Sequence, residues 1–490
     1  MTWDARYVLC RRRAVAGMLV AGVLAVVAAV VAGGCGQRTE DAGEASATAD
    51  PRAAAVVERW GSPAGELPEV KLVLISPHNE NIEYEYEQAF YWHYAQAHGK
   101  QVAVEWRDVG GGTSTILQYL RNVYGRSDTA DIDVMWGGGE AAFENLAREG
   151  ILEPMDIEEE TLAAIPAVFG GIRMYDPELR WCGSAVSGFG FLYNKRLLKL
   201  RAVPPPERWQ DLGKPAFFGL LALADPSQSG SAAAAYEMIV QSAPDWPSGW
   251  AQLLKVLSNA KRFYDSAGDA ANAPLVGEAA LATAIDFYGA LRVARAPDQL
   301  VYVSPPGQTA FSPDPIGILK NPPHPTLASR FVNFVLSERG QALWALPTGI
   351  PEGPRRNALG RQPIRRDVYV KHRGNLLPWI VNPYEEGNEM VVDMAMKRIR
   401  DTVLKQLVRA AAVDNLDGLR TAREALIEAE GDARQRLDVR FGQLPDNVAT
   451  REAMERVAAD LKDATSAERI VSGWQAFFRR KYDTIAQDGG

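Results

Sequence analysis

Residues 70–80 have the sequence Val-Lys-Leu-Val-Leu-Ile-Ser-Pro-His-Asn-Glu, a short apolar run that ends abruptly in polar residues. An apolar run of this length is typical of a buried strand. Two further runs, Gln101–Trp106 and Ile132–Trp136, have the same form, and polar or glycine-rich segments follow them at Gly110–Ser114 and Gly137–Glu140. The pattern therefore predicts three strands, each of which ends in a loop suited to contact a ligand.

A predicted helix follows each strand, over about residues 81–98, 116–123 and 141–149. This alternation favours βαβ units around a parallel sheet. The carboxyl ends of parallel strands lie along one edge, and ligands bind in the crevice outside it. The predicted ligand-binding residues of this part are Ser76, His78, Asn79, Gly111, Gly112, Thr113, Ser114, Gly137, Gly138 and Glu140.

A second lobe is predicted after Cys182–Leu192, an extended glycine-rich run that suits a strand crossing between lobes. Gly219–Ala224 predicts a strand, and a hydroxyl-rich loop separates it from a predicted helix over Ala232–Val240. Such a helix start offers free N–H groups that can hold an anion. The predicted ligand-binding residues of this part are Ser187, Ser227, Ser229, Gly230, Ser231, Asp286 and Tyr288.

The chain is predicted to return to the first lobe through Ser312–Leu319 and a helix over Ala328–Leu346. An order of lobe one, lobe two, lobe one permits hinge closure over a ligand. From about residue 386, apolar residues recur at helical spacing, notably over Met390–Ala411 and Leu419–Ala429. This region predicts a helical cap on the lobes; a docking surface for a partner is the alternative.

The N-terminus has the form of a secretory signal. Arg11, Arg12 and Arg13 precede an uncharged stretch over residues 14–34, which ends in Ala-Gly-Gly before Cys35. A cysteine in this position resembles a bacterial lipobox, so lipidation of Cys35 is predicted. The alternative is an uncleaved membrane anchor, because the uncharged stretch could just span a bilayer. Both interpretations place the folded part outside the cytoplasm.

The composition of the chain and the motifs that it lacks argue against several classes of function. The chain has 490 residues, a net charge of -8 and a pI of about 5.4, which argues against a nucleic-acid-binding protein, since such proteins need a basic face. Its three cysteines are too few for a disulfide framework. No P-loop, His-Glu-x-x-His or Gly-x-Ser-x-Gly sequence occurs. The absence of these motifs predicts that the chain is not an enzyme and has no cofactor. The chain is also predicted to be a monomer.

Several segments in this order resemble the extracellular solute-binding proteins of ABC importers, in the branch with ferric-iron-binding proteins. The resemblance covers about residues 68–400. It implies a type II periplasmic-binding fold of class α/β, with the ligand between two lobes and an ABC permease in the inner membrane as partner. The matching segments are Leu74–Glu80, Val109–Ser114, Ala224–Gly230, Gly277–Ala280 and Phe331–Gln341.

The predicted organisation combines this resemblance with the N-terminal signal. It consists of a lipoprotein signal peptide (1–34), a flexible tether (35–67), lobe 1 (68–185), lobe 2 (186–305), a return to lobe 1 (306–385) and a helical C-terminal region (386–490).

Ferric binders of this branch place two adjacent tyrosines where this chain has Phe287 and Tyr288, with Asp286 before them. The resemblance thus implies a possible site for transported Fe³⁺ at His78, Asp286 and Tyr288, all hard oxygen or nitrogen donors. Serines, threonine and helix starts could instead hold a phosphonate, phosphate or carboxylate. Acidic residues such as Asp286 and Glu140 could face a cationic amine, for example a polyamine.

Two other functions are compatible with the same sequence features. An extracytoplasmic hydrolase on a similar scaffold would need a nucleophile with a base, and Ser227 and Ser229 have no evident histidine partner. A ligand-binding sensor could use the helical C-terminal region.

Overall fold

A computed structural model describes residues 69–385 and 390–489. The predicted signal peptide, the lipidation of Cys35 and the tether lie outside these residues and stay predictions. Within the described residues, two β-sheets of five and six strands are surrounded by helices, and one two-stranded ribbon is present. The α/β prediction is therefore confirmed. None of the described helices is long and apolar enough to cross a membrane.

The first sheet has the strand order β2-β1-β3-β13-β4, and β7 pairs with β13. β1 lies between β2 and β3 and is parallel to both, with Leu74 opposite Trp106 on one side and Val134 on the other. This is the predicted parallel core. Its strands are β1 (Glu69–Ile75), β2 (Gln101–Trp106), β3 (Val134–Trp136), β4 (Leu152–Glu153), β7 (Cys182–Ser187) and β13 (Ser312–Leu319).

Helices cover both faces of this sheet, because the successive side chains of Leu72–Ile75 in β1 are all apolar and buried. Leu72 and Leu74 belong to one apolar cluster, whereas Val73 and Ile75 belong to another. The helices of this part are α1 (Glu80–His98), α2 (Thr113–Tyr124), α3 (Glu140–Arg148) and α4 (Glu159–Ala164), followed by the ribbon β5 (Val168–Phe169) and β6 (Ile172–Arg173).

The second sheet has the strand order β10-β9-β11-β8-β12. β9, β10 and β11 are parallel, and β8 is antiparallel to β11 and β12. Its strands are β8 (Phe189–Asn194), β9 (Leu221–Ala224), β10 (Ala260–Tyr264), β11 (Leu281–Ile285) and β12 (Leu300–Val303). Its helices are α5 (Lys195–Leu200), α6 (Gly230–Gln241), α7 (Trp246–Ser258), α8 (Ala267–Val276) and α9 (Asp286–Arg295), with 3-10 turns at Trp209–Gly213 and Pro215–Phe217.

The chain crosses between the sheets twice, from β7 to β8 through Gly188 and from β12 to β13 through residues 304–311. The two crossings touch each other. A Cβ atom on Gly188 would lie only 2.7 Å from Cε1 of Phe311, so glycine is needed for this close approach. The exact lobe boundaries stay predictions, but adjacent crossings are the arrangement that hinge closure requires.

The return segment contains α10 (Pro325–Leu336), α11 (Glu338–Ala345) and α12 (Arg366–Lys371). The prediction of one helix over residues 328–346 is wrong, because the chain breaks at Ser337. This residue has an extended backbone, and its Oγ accepts a hydrogen bond from the N–H of Gly340 at 3.1 Å. Ser337 thus caps a second helix instead of continuing the first.

The predicted helical C-terminal region is confirmed and consists of α13 (Met394–Val408), a π turn (Arg409–Val413), α14 (Leu416–Glu428), α15 (Gly431–Phe441), α16 (Arg451–Asp460) and α17 (Ala464–Gly489). It packs on the helices of the second sheet. Trp246 donates to the carbonyl of Val448 at 2.7 Å, and Trp250 packs against Phe478. We call α13 to α17 the appended helices.

The appended helices also contact the first lobe. The N–H of Val392, just before α13, donates to the carbonyl of Gly170 at 2.9 Å. Arg398 forms an ion pair with Glu144 of α3 at 3.3 Å. On the other side, the N–H of Asp393 donates to Gln241 of α6 at 2.9 Å. The start of α13 is therefore bonded to both lobes.

Candidate functional site

Asp314 of β13 joins two strand-end loops of the first lobe. Its Oδ1 accepts hydrogen bonds from the backbone N–H groups of Gly138 at 2.9 Å and Gly139 at 3.3 Å. Its Oδ2 lies 3.0 Å from Nε2 of His78 and accepts a hydrogen bond from Nη1 of Arg361 at 2.6 Å. The predicted loops after β1 and β3 therefore meet at one buried carboxylate.

Arg361 connects this point to the crossing and to the second lobe. Its side chain is only 5% exposed. Nη2 donates to Oγ of Ser187 at 3.2 Å, where β7 ends. The guanidinium carbon lies 4.9 Å from the ring centre of Phe287, at the start of α9, and 5.1 Å from that of Trp344. We call His78, Ser187, Asp286, Asp314 and Arg361 the junction cluster.

The surroundings of Asp314 and His78, on the first-lobe side of this cluster, determine whether each side chain is charged. Burial opposes ionisation of Asp314, but Arg361 and His78 outweigh it and hold the pKa of that carboxyl far below its usual range. Burial also lowers the pKa of His78, against the opposing effect of Asp314. At neutral pH Asp314 is therefore ionised and His78 is neutral.

Asp286 provides the second lobe's part of the cluster. Its Oδ2 accepts from the N–H of Gly188 at 2.9 Å and its Oδ1 from that of Phe287 at 2.7 Å. Burial raises the pKa of Asp286 to about 6, although these N–H groups and Arg361 oppose the shift. The carboxylate thus binds the crossing at Gly188 to the start of α9.

Arg361 is held in place through Glu85, a fully buried residue of α1. The Glu85 carboxylate accepts hydrogen bonds from the N–H groups of Arg355 at 2.6 Å, Arg356 at 2.8 Å and Asn357 at 2.8 Å. A buried carboxylate that receives several N–H groups is well stabilised. Glu85 therefore holds residues 355–357 in place, and with them the segment that carries Arg361.

We expect Glu85→Ala to lower the free energy of unfolding by about 3 kcal/mol, because it leaves three partly buried N–H groups without their acceptor and removes a fully buried side chain. Gln88→Ala is the matched control: Gln88 lies on the same helix and accepts only the side chain of Arg355. The control should lose less than about 1 kcal/mol. Denaturant unfolding followed by circular dichroism measures both, and equal losses would contradict the role given to Glu85.

The loop after β2 adjoins the loop after β3. A Cβ atom on Gly138 would lie 2.8 Å from Cγ2 of Thr113, so the two residues are in close contact. Thr113 begins α2, whose N-cap is Gly112, and none of the side chains that the structure describes caps this helix start. The N–H groups of an uncapped first turn carry partial positive charge and are suited to an anion.

A cavity of about 620 Å³ lies at the carboxyl ends of β1 and β2. Its volume is in the range of small-molecule sites. It is lined by Ser76, Pro77, His78, Asn79, Glu80, Asn81, Glu83, Trp106, Arg107, Asp108 and Gly111. Four of the predicted ligand-binding residues, Ser76, His78, Asn79 and Gly111, are therefore on its wall.

Besides His78, Ser76 and Asn79 also have structural partners. Oγ of Ser76 donates to the carbonyl of Trp136 at 2.7 Å, which ties the end of β1 to β3. Oδ1 of Asn79 accepts from the N–H groups of Asn81 and Ile82 and caps α1. Glu140 is buried at the start of α3, and its pKa is raised by burial, with Lys397 of α13 as the strongest opposing charge.

In the second lobe, the hydroxyl-rich loop contacts the appended helices. Oγ of Ser227 accepts from Nη1 of Arg409 at 3.4 Å. Oγ of Ser229 caps α6 by accepting from the N–H of Ala232 at 3.3 Å. Gly230 and Ser231 form the first residues of that helix. A direct role of this loop in ligand binding stays a prediction.

Of the three residues predicted for a metal, two lie in the junction cluster, His78 and Asp286. Tyr288 packs instead against Arg292 of its own helix and near Gly268 of α8. Among the described residues, no three side chains of the His, Cys, Asp or Glu type are grouped to hold a metal ion. Binding of Fe³⁺ stays a prediction.

Sequence reasoning missed Asp314 and Arg361. Proline is rare inside a paired strand, so the sequence Pro313-Asp314-Pro315 within β13 could have drawn attention to Asp314; the pairing register shifts at this point. No comparable signal marks Arg361, which lies in an irregular segment and reaches the cluster only through the long-range fold.

Residues 128–364 match the family described as bacterial extracellular solute-binding protein. The chain is also similar to the phosphoglycerate transport regulatory protein PgtC of Salmonella typhimurium, with 34% identity over 161 residues. This match covers 33% of the chain and 40% of PgtC, so it spans about two fifths of that relative's length.

The fold is similar to that of the periplasmic binding protein AfuA from Actinobacillus pleuropneumoniae, solved with fructose-6-phosphate bound, with a TM-score of 0.50 at 18% identity over 71% of this chain and 96% of AfuA. It is also similar to the apo ferric ion-binding protein A of Pasteurella haemolytica, with a TM-score of 0.52 at 13% identity over 71% of this chain and 98% of that protein. The predicted type II periplasmic-binding fold is confirmed.

Proposed function

We propose that this chain, whose residues 128–364 belong to the bacterial extracellular solute-binding proteins, captures a small solute by closure of its two lobes and delivers it to an ABC permease. The family and the similar structures consist of binding proteins, and an extracellular family implies a place outside the cytoplasm. Attachment to the membrane through lipidated Cys35 and a monomeric state are part of the proposal.

The observation that carries the proposal is the junction cluster. It combines His78 from a first-lobe loop, Ser187 from a crossing and Asp286 from the second lobe around Arg361. A solute that contacts both lobes stabilises the closed state by its differential contacts, so it shifts the population towards closure. The adjacent crossings at Gly188 and Phe311 provide the axis of this movement.

We infer that the solute carries an oxyanion, which binds at the start of α2. The uncapped first turn and the hydroxyl of Thr113 support this inference, since both are hydrogen-bond donors beside the cavity. The phosphate-bearing ligand of AfuA and the phosphoglycerate named for PgtC are chemically consistent with it. Ferric iron has less support, because Nε2 of His78 already lies within 3.1 Å of both Asp314 and Arg361.

A thermal-shift panel of fructose 6-phosphate, phosphoglycerate, inorganic phosphate and ferric citrate tests this function. We expect a phosphorylated compound to raise the melting temperature with the logarithm of its concentration, and small-angle X-ray scattering to show a smaller radius of gyration with it. Thr113→Val should weaken its binding by about tenfold or more, since a hydrogen bond to a charged group is lost.

Thr484→Val is the control, because this hydroxyl is exposed on α17 and bonds only to its own helix. It should leave the affinity unchanged. A response to ferric citrate that is absent with sodium citrate and with every phosphorylated compound would overturn the oxyanion while leaving the receptor role intact. A phosphorylated compound that binds without any compaction would contradict capture by closure.

A further inference from the structure

The cavity at the ends of β1 and β2 has an acidic wall. Glu80, Glu83 and Asp108 line it, and none of the three forms a salt bridge with any described residue. Arg107 also lines the cavity and pairs with Glu105 at 2.9 Å, a carboxylate that Lys71 contacts as well. Three carboxylates against one guanidinium leave the lining of the cavity with a net negative charge.

The carboxylates are close enough to affect one another. Burial raises the pKa of Glu83 to about 7, and Glu80, Glu87 and Asp108 add to the shift by like-charge repulsion. Such repulsion destabilises the folded protein. A bound cation would remove it, because its charge would favour the ionised form of each carboxylate.

The other walls of the cavity are also suited to a cation. Trp106 lines it, with its Nε1 donating to Glu87 at 3.2 Å, and an indole ring attracts cations. His78 is on the wall with a side chain only 7% exposed, and its buried Nδ1 has no hydrogen-bond partner. Nδ1 has almost no accessible surface, so a ligand N–H reaches its lone pair only after this wall opens slightly.

We propose that this cavity binds an ammonium group of the solute through Glu80, Glu83 and Asp108, so that the solute is zwitterionic. This proposal rests on the proposed receptor function and adds to it. The ammonium group lies at the start of α1, and the oxyanion lies at the start of α2. Gly111 lines the same cavity and is two residues from Thr113. The oxyanion subsite is therefore at the edge of the cavity that contains the ammonium subsite.

Three compounds separate the two subsites: phosphoethanolamine, ethyl phosphate, which lacks the amine, and ethylammonium, which lacks the phosphate. Binding of each to the full chain is measured by calorimetry. We expect phosphoethanolamine to bind about tenfold or more tightly than ethyl phosphate, because it adds charged hydrogen bonds. We also expect ethylammonium to lower the pKa of Glu83, followed by carboxyl-carbon NMR.

The variant Glu83→Gln should remove most of the advantage of phosphoethanolamine over ethyl phosphate, so that the ratio of the two affinities falls towards one. Asp108→Asn keeps an acceptor for the N–H of Gly110. It should likewise reduce the preference for phosphoethanolamine over ethyl phosphate. Glu149→Gln is the control, since that carboxylate forms an ion pair with Arg121 outside the cavity. A thermal melt of each variant confirms that it is folded.

The outcomes distinguish the two proposals. If ethyl phosphate binds as well as phosphoethanolamine and ethylammonium leaves the pKa of Glu83 unchanged, the ammonium subsite is wrong and the oxyanion receptor stands. If ethylammonium lowers the pKa of Glu83 but ethyl phosphate does not bind, the ammonium subsite stands and the oxyanion is wrong. If none of the compounds binds or changes that pKa, the ammonium subsite is overturned.

Discussion

Replacing Glu237 of α6 by glutamine should lower the free energy of unfolding by about 3–5 kcal/mol. Glu237 accepts from Nη2 of Arg400 at 2.7 Å and from its Nε at 3.1 Å, and the two side chains are 5% and 6% exposed. The substitution keeps the shape of the side chain but leaves the guanidinium buried without a counter-charge. Removal of one partner of a buried pair is among the most destabilising of single changes.

Denaturant unfolding measures this loss. The ion pair of Arg451 and Glu455 provides the control, because it is of similar length at 3.0 Å but about half exposed; Glu455→Gln should change stability by less than about 1 kcal/mol. The double variant Glu237→Leu with Arg400→Leu should be much less destabilised than Glu237→Gln, since it removes both charges. If Glu237→Gln has no larger effect than the control, the pair does not hold α13 on the second lobe.

The second large effect is expected for Asp314→Asn. The change removes the counter-charge of Arg361, whose guanidinium is almost fully buried, so we expect a loss of about 3–5 kcal/mol at neutral pH. Asparagine retains one oxygen for the N–H groups of Gly138 and Gly139. The loss is therefore a measure of the charge rather than of these hydrogen bonds.

The pH dependence of the stability that Asp314→Asn loses provides a second measurement. The folded-state pKa of Asp314 lies below its usual value of 3.8. Its contribution to stability is thus fully present above that value and declines as the pH falls below it towards the folded-state pKa. The difference between wild type and variant should be constant above about pH 5 and should shrink in more acidic solution. A difference that grows below pH 4 would contradict the assignment.

The N-cap Asp245 supplies the control. It is exposed, and its Oδ1 accepts the N–H of Ser248 at 2.8 Å. Asp245→Asn should change stability by less than about 1 kcal/mol, because asparagine is an equally good N-cap.

The first-lobe loops could be predicted from the sequence because the relevant signals are local. An apolar run followed by polar residues marks the end of a strand, and parallel strands bring such ends together. His78 accordingly lies beside Gly137 in the structure, and Thr113 lies beside Gly138. The helical character of the appended helices was also predictable, since amphipathic spacing is a property of each segment.

The centre of the site could not be predicted in the same way. Arg361 meets His78 across a separation of 283 residues, and Glu85 fixes its approach from a third segment. The spacing of apolar residues cannot predict such contacts, because they depend on where an irregular segment of the chain lies in the folded protein. In the loop Ser227–Ser231, Ser229 caps α6, as a serine at a helix start is expected to do, and Ser227 contacts Arg409, a long-range contact that no local signal indicates. The predicted ligand contacts of this loop stay a prediction.

The contacts at the start of α13 constrain how the two halves can move. Two bodies joined only at neighbouring crossings can rotate about the line through those crossings. A further attachment away from that line resists the rotation, and here it consists of the Arg398–Glu144 pair and the bond from Val392 to Gly170. Arg398 is 59% exposed, so its pair contributes at most about 1 kcal/mol, far less than the buried Arg400–Glu237 pair. When the two lobes separate, the contacts of Arg398 and Val392 with the first lobe should break first. The appended helices should then move together with the second lobe.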